Sequence, residues 1–492
     1  MEHTFSLADF KKAHQDMIAK PDASWSSRYM GEGVVRSKEY TIEEVDKIIN
    51  SSSLAEQQKL SRNYFYRDGF YKRIILYYGT LLTYTGLLIP NPAIGKQLSS
   101  PHIAKRYYGA LEYVDKMNLA EVMTRMSIRV LIDGVYYGII QTQTKDKFVM
   151  FDLPTAFCRS RYVDTNGDDV VEFNVTYFST IFDEELRKET LNTYPKFISD
   201  YYKAYKRGKK NTTPWVKIPT DVGVCFTIFG ETPPFLDIIP ATIQYDKAID
   251  RREEQELEEI KKIIVQKIPH LADGTLLFEP EEAAVIHQGT VGMMKGNKNV
   301  SVLTTYADTD SIVSKTSADN EASSLEKMLQ NVYANAGVSS QVFAPLGVQA
   351  IKLSIINDIS FMMILANKYS RFITRVVNSL FGNSNITFKY TIFPLSLYNR
   401  DDFITESLKL AQSGYSYLVP AVAAGLTQRE IVNVKDLEND VLNLRDKFIP
   451  LQTSYTESSG EVGAPEKKLE DKSEKTIKNE DAIDRQGQGG SA

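Results

Sequence analysis

The sequence is poor in the residues on which disulfide frameworks, zinc sites and histidine-dependent catalysis rely. Its 492 residues include two cysteines, five histidines and two tryptophans. Two cysteines exclude a disulfide framework and a cysteine-rich zinc site by count alone. Cys158 and Cys225 both lie among apolar and aromatic neighbours, so we expect two buried, reduced thiols.

Motifs for enzyme chemistry are also missing. The sequence contains no H-E-x-x-H metal motif, no G-x-S-x-G elbow and no glycine-rich G-x-G-x-x-G after a strand. The segment 90–97 has the lysine of a phosphate-binding loop but not its upstream glycine, so we interpret it as a turn. Acidic residues from Glu253 to Glu259 lie among arginines and lysines, which favours a solvated, salt-bridged helix face. We expect no enzyme activity and no cofactor.

Signals for export and membrane insertion are absent as well. The first residues, MEHTFSLADF, do not pair a basic segment with an apolar one, so we expect no export. The most apolar stretch, 74–90, is interrupted by Thr, Gly and Tyr, and we interpret it as a core helix or strand. The net charge of -5 does not indicate a cationic nucleic-acid binder.

Helical and strand patterns alternate along the chain and predict a mixed α+β, helix-rich fold. A capping box at Thr41 and Glu44 predicts a helix over 41–50, and further helices are expected through residue 131. Two hairpins follow, the second turning at Asn166-Gly167, for which we predict a type I′ turn. The region 184–206 reads as one surface helix, ending in a basic run.

The tip of the second hairpin is acidic and offers an alternative reading. Asp164, Asp168, Asp169 and Glu172 could hold a divalent metal in a nucleic-acid enzyme. An EF-hand loop needs glycine at its sixth position and glutamate at its twelfth, and this segment has neither. We therefore prefer a turn, and keep a metal-dependent nucleic-acid enzyme as the alternative hypothesis.

The segment between residues 240 and 380 is the most informative part of the chain. A long helix, 243–264, has a polar middle that cannot seat on a globular core. A small α/β insertion follows, then a returning helix with Leu325, Met328, Leu329, Val332 and Tyr333 at helical spacing. An aperiodic loop, 338–349, leads into a second long helix. A charged tail after residue 450 has too little apolar surface to order itself.

These elements, in this order, resemble those of the portal proteins of tailed bacteriophages. The most specific part is EASSLEKMLQNVYANAG, followed by VSSQVFAPLG and the long helix to Leu380. It resembles the returning stem helix, tunnel loop and long wing-spanning helix of that family. The glycine-interrupted helices after residue 400 and the Glu/Lys-rich tail add to the resemblance, which covers the chain from about residue 56.

The resemblance implies a subunit with wing, stem, clip and crown regions that assembles into a ring. It assigns 1–239 to an N-terminal region and wing, 240–262 to the first stem helix, 263–316 to the clip, 317–337 to the second stem helix, 338–350 to the tunnel loop, 351–399 to the long helix and a wing strand, 400–450 to the crown, and 451–492 to a disordered tail.

The resemblance also implies candidate site residues. Those of the DNA channel and tunnel loop are Ser339, Gln341, Val342, Phe343, Pro345, Leu346, Gln349 and Lys352. Those of the clip are Lys295 and Lys298. Those of stem contacts between subunits are Arg251, Arg252, Glu253, Glu256, Lys261 and Lys262.

The implied partners are those of a virion portal vertex. They are copies of the chain itself, usually twelve in a ring, double-stranded DNA passing through the channel, the terminase large subunit, the major capsid protein, scaffold and a neck or adaptor protein. No membrane is expected. The location is the virion, after assembly in the host cytoplasm. Another virion structural protein, such as a capsid or neck component, is the third hypothesis.

Overall fold

The computed structural model describes residues 39–143, 148–209, 212–260, 262–267, 278–293, 300–305, 318–337 and 348–444. The predicted tail and the N-terminal 38 residues lie outside the described residues. The chain forms two units, Met1–Val432 and Asn433–Ala492. The first is a mixed α/β, helix-rich fold, which confirms the predicted class. In the second, the described residues hold the end of one helix and a π-helical turn, Leu437–Val441.

Among the described residues, five helices build the N-terminal part of the first unit. They are α1 (Ile42–Ile49), α2 (Leu54–Arg67), α3 (Gly69–Leu81), α4 (Pro101–Lys116) and α5 (Leu119–Asp133). The capping box at the start of α1 is confirmed, since Thr41 and Glu44 each accept from the other's backbone N–H. None of the described helices in the chain is both long and apolar enough to cross a membrane.

The described residues of the first unit contain two hydrophobic cores, a main core that includes the N-terminal helices and a second core. Two three-stranded sheets contribute to the second core. Strands β2 (Val135–Gln143), β3 (Phe148–Asp152) and β7 (Gly223–Thr227) make one, in the order β3-β2-β7. Strands β4 (Cys158–Val163), β5 (Asp169–Asn174) and β6 (Trp215–Ile218) make the other. The predicted hairpins are both confirmed. The second core contains side chains of both sheets and of the segment 175–202, many of them aromatic.

The turn of the second hairpin differs from the predicted type I′. Only Gly167 has a positive φ, +77°, whereas a type I′ turn needs positive φ at both central positions. The Gly167 N–H donates to the Asp164 carbonyl at 3.0 Å, and the Asp164 N–H donates to the Asp168 carbonyl at 2.8 Å. This is the three-residue loop in which a type I turn is followed by a left-handed glycine.

The predicted single helix over 184–206 is two helices. Helix α6 (Glu184–Thr193) ends before Pro195, and α7 (Lys196–Lys206) begins directly after it. Proline cannot continue a helix because it has no N–H for the preceding turn. The prediction of one helix was wrong because it ignored this residue.

The central segment has the predicted order of elements. Helix α8 (Ile239–Ile260) is followed by β8 (Lys262–Lys267), α9 (Pro280–Met293) and β9 (Val300–Thr305). Strands β8 and β9 pair in parallel, so the insertion is a βαβ unit. Helix α10 (Ala318–Asn335) then packs against α8, and α11 (Val348–Phe381) follows. The first long helix therefore ends at Ile260, earlier than the predicted 262 or 264, because the chain enters β8.

A two-stranded sheet pairs two segments that are about 300 residues apart in the chain. Strand β1 (Gly86–Pro92) pairs antiparallel with β10 (Ile386–Ile392). The predicted turn after it is confirmed at Ala93 to Lys96, but the strand itself includes Pro90 and Pro92. Leu88 directs its N–H away from β10, towards Gln428. Because alternate residues share this direction, the missing N–H groups of both prolines fall on the same outer edge.

Both edges of this sheet are closed by side chains. On the outer edge of β1, the amide of Gln428 accepts from the Leu88 N–H at 2.6 Å and donates to the Leu88 carbonyl at 3.2 Å. Gln428 thus pairs with Leu88 as a neighbouring strand would. It lies at the start of α14 (Gln428–Asp436), which follows α12 (Arg400–Gln412) and α13 (Leu418–Ala423).

The outer edge of β10 is closed by helix α11. The backbone N–H groups of Phe388, Tyr390 and Ile392 donate to Asn378 Oδ1, Thr374 Oγ1 and Ser370 Oγ at 2.8, 2.9 and 3.2 Å. Asn378 Nδ2 also donates to the Phe388 carbonyl at 2.7 Å. We call Ser370, Thr374 and Asn378 the α11 ladder. Four helix residues rise about 6 Å and two strand residues about 6.8 Å, so the two spacings match.

Replacing Asn378 by alanine should strongly destabilise the protein. The buried Phe388 would lose partners for both its N–H and its carbonyl, and each buried group left unpaired costs about 1–3 kcal/mol. We expect urea unfolding to show a loss of about 2–4 kcal/mol. Thr374→Val should lose less, since the Tyr390 N–H loses its 2.9 Å bond but the bond to the Tyr390 carbonyl is long, at 3.5 Å.

The matched control is Thr405→Val, because the Thr405 hydroxyl donates only within its own exposed helix, to the Asp401 carbonyl. That variant should stay within about 0.5 kcal/mol of the parent. Equal losses at Thr374 and Thr405 would show that the ladder contributes nothing.

Candidate functional site

The N-terminal end of α8, which was predicted as the first stem helix, lies in the main core. At its N-terminal end Ile239 and Thr242 are fully buried, and the Thr242 hydroxyl donates to the Ile238 carbonyl at 2.9 Å. Pro240 lies in the first turn, where its missing N–H costs nothing. From Asp250 to Glu254 every side chain is exposed. The helix therefore leaves the core at about the position where its sequence becomes polar, as predicted.

Helix α10, which was predicted as the second stem helix, returns to the same part of the core. Val332, Tyr333 and Ala336 near the C-terminal end of α10 are buried. Of the predicted apolar stripe, Leu325 and Leu329 are half-buried, whereas Met328 is exposed. The stripe is thus covered at the base of the helix and less covered away from it.

One aromatic residue of α3 contacts both α8 and α10. The ring of Phe70 lies 5.3 Å from that of Tyr245 on α8 and 6.4 Å from that of Tyr333 on α10, both edge to face. This geometry is favourable for aromatic pairs. Phe70 therefore fixes the two helices relative to each other where they leave the core.

The predicted stem contact residues carry charges of both signs on the exposed part of α8. Arg251, Arg252 and Glu253 are exposed, with Glu254 beside them. Glu256 lies further along α8, and Lys262, predicted as part of the first stem helix, is the first residue of β8. Lys261 lies outside the described residues. We call Arg251 to Glu254 the stem charge band.

Helix α11 begins at Val348, inside the segment 338–350 that was predicted as the tunnel loop. Gln349 and Lys352, predicted as tunnel-loop and channel residues, belong to the first turns of α11. The helix continues back to Val348 because no proline or glycine interrupts it until Gly347. Ser339, Gln341, Val342, Phe343, Pro345 and Leu346 lie outside the described residues, as do the clip candidates Lys295 and Lys298.

A buried carboxylate that the sequence analysis did not identify fixes the helix that begins after this loop. Asp358 on α11 is 1% exposed and accepts from the hydroxyls of Tyr77 and Tyr78, at 2.8 and 3.0 Å. Burial raises the pKa of Asp358, and the two hydroxyl donors oppose that change. Burial also raises the pKa of both tyrosines, so they remain donors.

The acidic hairpin tip is held by contacts within the protein. Asp164 accepts from the backbone N–H groups of Asn166 and Asp168 and from the Thr220 hydroxyl. Asp168 pairs with Arg371 at 2.7 Å and Arg375 at 2.5 Å, both on α11.

Glu172, which is buried, pairs with Arg159 at 2.8 Å. Within the described residues, no group of three or more His, Cys, Asp or Glu is placed to hold a metal ion. The cysteines, Cys158 buried and Cys225 half-buried, are free thiols, and burial raises the pKa of both.

Comparisons with known proteins give little further information. No family model matches the chain, and no curated protein matches it. Among solved structures, the chain is similar to a chain of the "Virion of native gene transfer agent (GTA) particle". The identity is 8% and the TM-score 0.33, over 80% of this chain and 96% of that one. A TM-score this low does not establish a shared fold.

The Asp358 carboxylate should make stability depend on pH. Its pKa is higher in the folded than in the unfolded chain, so folding favours its protonated form. Its contribution to the free energy of unfolding is therefore most favourable below the ordinary aspartate pKa of about 3.9 and declines as pH rises through the folded-state pKa. Relative to Asp358→Asn, wild type should lose stability as pH rises from about 4 to 7. Urea unfolding across that range measures this.

Asp200→Asn, at an exposed position of α7, is the control and should parallel wild type. If the free energy of unfolding changed with pH in the same way for wild type and Asp358→Asn, burial would not raise the pKa of Asp358.

Proposed function

We propose that this chain is a portal subunit that assembles into a ring at one vertex of a viral capsid, through which DNA is packaged and ejected. The carrying observation is the order of elements between Ile239 and Phe381. A long helix leaves the core, a βαβ unit follows, and a second helix returns and packs on the first. The longest helix then crosses the core. This order matches the stem, clip, stem and wing helix of the family that the sequence resembles.

The stem charge band supports assembly from identical copies. Two arginines and two glutamates lie within one exposed turn. A helix that is polar on every side gains nothing from a globular core. In a ring, however, the positive part of one copy can face the negative part of the next.

The composition of the predicted channel supports DNA passing through without being held. Each phosphate that a protein neutralises adds salt-dependent affinity. The chain has a net charge of -5, and the segment 338–349 has no charged residue. Under the proposal the clip docks the terminase motor during packaging and a neck or adaptor protein afterwards. The motor supplies the chemistry of ATP hydrolysis.

The rival hypotheses make different use of the same residues. A metal-dependent nucleic-acid enzyme would need Asp168 available for metal, and in the structure two arginines of α11 contact it. This favours a structural role, in which the hairpin tip is tied to the long helix. A capsid or neck component would share the virion location but would form a different assembly.

Ring assembly should weaken when the stem charge band is altered. Arg251→Glu adds negative charge where the proposal places a facing glutamate, so mass photometry should show fewer large assemblies and more free chains. Raising salt should weaken wild-type assembly in the same direction, because exposed charges are screened within about 8 Å at physiological ionic strength.

The matched control is Lys188→Glu on α6, which removes an exposed pair with Glu184 and should leave assembly unchanged. A wild-type chain that stays monomeric at every concentration would contradict the proposal. If Arg251→Glu assembles as well as wild type, the stem charge band does not contribute to ring assembly.

A further inference from the structure

Helix α7 ends in a run of basic residues that the proposed function does not use. From Lys203 to Lys217 the chain has no Asp or Glu, although its net charge is -5. Positive charge is therefore concentrated in one short stretch of an acidic chain. Five cations of this stretch are exposed, and we call them the basic surface: Lys203, Lys206, Arg207, Lys209 and Lys217.

Hydrogen bonds fix the end of α7 beside strand β6. The Tyr201 hydroxyl donates to the backbone carbonyls of Thr213 and Trp215, at 3.0 and 3.2 Å. Trp215 is the first residue of β6, the strand that also carries Lys217. The cations of the helix end and the cation of the strand therefore lie on two neighbouring elements that are bonded to each other.

The turn after α7 has a defined backbone. Gly208, with φ +66°, follows the helix, and the N–H groups of Gly208 and Lys209 donate to the carbonyls of Tyr205 and Ala204 at 3.0 and 3.3 Å. These two bonds make a Schellman motif, a common helix end with a left-handed glycine. Arg207 and Lys209 are thus carried by an ordered turn.

On the sheet, aromatic rings hold the cations in place. Strands β4, β5 and β6 place Arg159, Glu172 and Lys217 side by side on one face. The Arg159 guanidinium lies 3.7 Å from the centre of the Trp215 ring, and Lys217 Nζ lies 3.6 Å from that of Tyr162. The face of an aromatic ring attracts a cation. Lys217 is therefore already positioned before any ligand binds.

Helix polarity explains only part of this charge. Cations are favourable in the last turn of a helix, which accounts for Lys203 and Lys206. It does not account for Lys217, which lies in a strand. Among the described residues, no member of the basic surface forms an ion pair, whereas the exposed Lys116 and Lys188 each pair with a glutamate one turn away. The basic surface thus lacks the anions that neighbouring helices supply to their own lysines.

We propose that the basic surface binds the phosphate backbone of double-stranded DNA. Duplex DNA carries one negative charge per about 1.7 Å of its axis, so several phosphates lie within reach of a small surface. Single strands are bound largely through bases that stack on aromatic rings, but here cations lie over the rings of Trp215 and Tyr162. Fixed cations with covered rings favour backbone contacts over base stacking.

This contact lies apart from the channel of the proposed function. The basic surface includes no residue of α8, α10 or the segment 338–349, to which that function assigns the stem and the tunnel loop. DNA held at the basic surface therefore does not conflict with DNA that passes through the channel without being held. The inference adds a second DNA contact, and it does not depend on ring formation.

A salt titration with closed circular duplex DNA measures this contact on the full chain. A circle cannot thread through a closed ring, so its binding reports a surface outside the channel whether or not rings form. For five phosphate contacts, the logarithm of the association constant should fall with the logarithm of salt concentration with a slope of about -4.5. Lys217→Gln removes one contact and should make this slope shallower by about 1.

Charge reversal at the helix end provides a second test with a matched control. Lys206→Glu should weaken binding of the circle about tenfold or more at about 50 mM salt, since a phosphate contact contributes about that factor relative to about 1 M salt. Lys409→Glu changes another exposed lysine in the last turn of a helix, α12. It alters the net charge by the same amount and should bind DNA like wild type.

The outcomes separate this inference from the proposed function. A wild-type chain that does not bind the circle, or equal affinities for Lys206→Glu and Lys409→Glu, would overturn the inference and leave the ring proposal standing. Tighter binding of single-stranded DNA, polyglutamate or phosphatidylserine vesicles than of duplex DNA, at equal charge concentration, would identify another ligand and also overturn it. A monomeric wild type that binds the circle as expected would contradict the ring and support the basic surface.

Discussion

The spacing match between α11 and β10 holds the first unit together. Ser370, Thr374 and Asn378 stand one helical turn apart and bond alternate residues of the strand. A helix normally meets a sheet through apolar side chains, which tolerate some sliding. Hydrogen bonds at three successive positions do not tolerate sliding, because a shift of the helix along the strand leaves buried N–H groups without partners. The ladder therefore sets the axial position of α11 on the sheet.

Other contacts fix the same helix along its length. Asp358 joins it to two tyrosines of α3, and Lys368 donates to the Thr227 hydroxyl of β7. Two arginines hold the hairpin tip through Asp168. At its C-terminal end the Phe381 carbonyl accepts from Arg106, which suits a helix C-terminus. The long helix is thus the element to which the strands and the N-terminal helices are attached, and its first turns follow directly after the predicted tunnel loop.

The features that could be predicted from the sequence are those that depend on short stretches of residues. The capping box at Thr41, the two hairpins, and the order of helix, insertion, returning helix and long helix all depend on residues close together in the chain. The turn at Gly167 and the break at Pro195 were also local signals, and both were misread. The hydrogen bonds of Asp358 with Tyr77 and of Gln428 with Leu88 join residues 281 and 340 positions apart, so no spacing in one sequence indicates them. Those of the α11 ladder join residues 10 to 22 positions apart, but they depend on how β10 folds back along the helix, which no local pattern gives. Of the predicted stem residues, Arg251 to Glu253 are exposed as expected.

Within this framework the proposed function depends on shape more than on reactive groups. Helices α8 and α10 leave the core beside Phe70, and α8 carries charges of both signs where it is exposed. The most direct measurement is electron microscopy of the purified full chain, with class averages computed without imposed symmetry. The account predicts rings with a central hole. Single particles without a ring, or five- and six-fold capsomers, would contradict it.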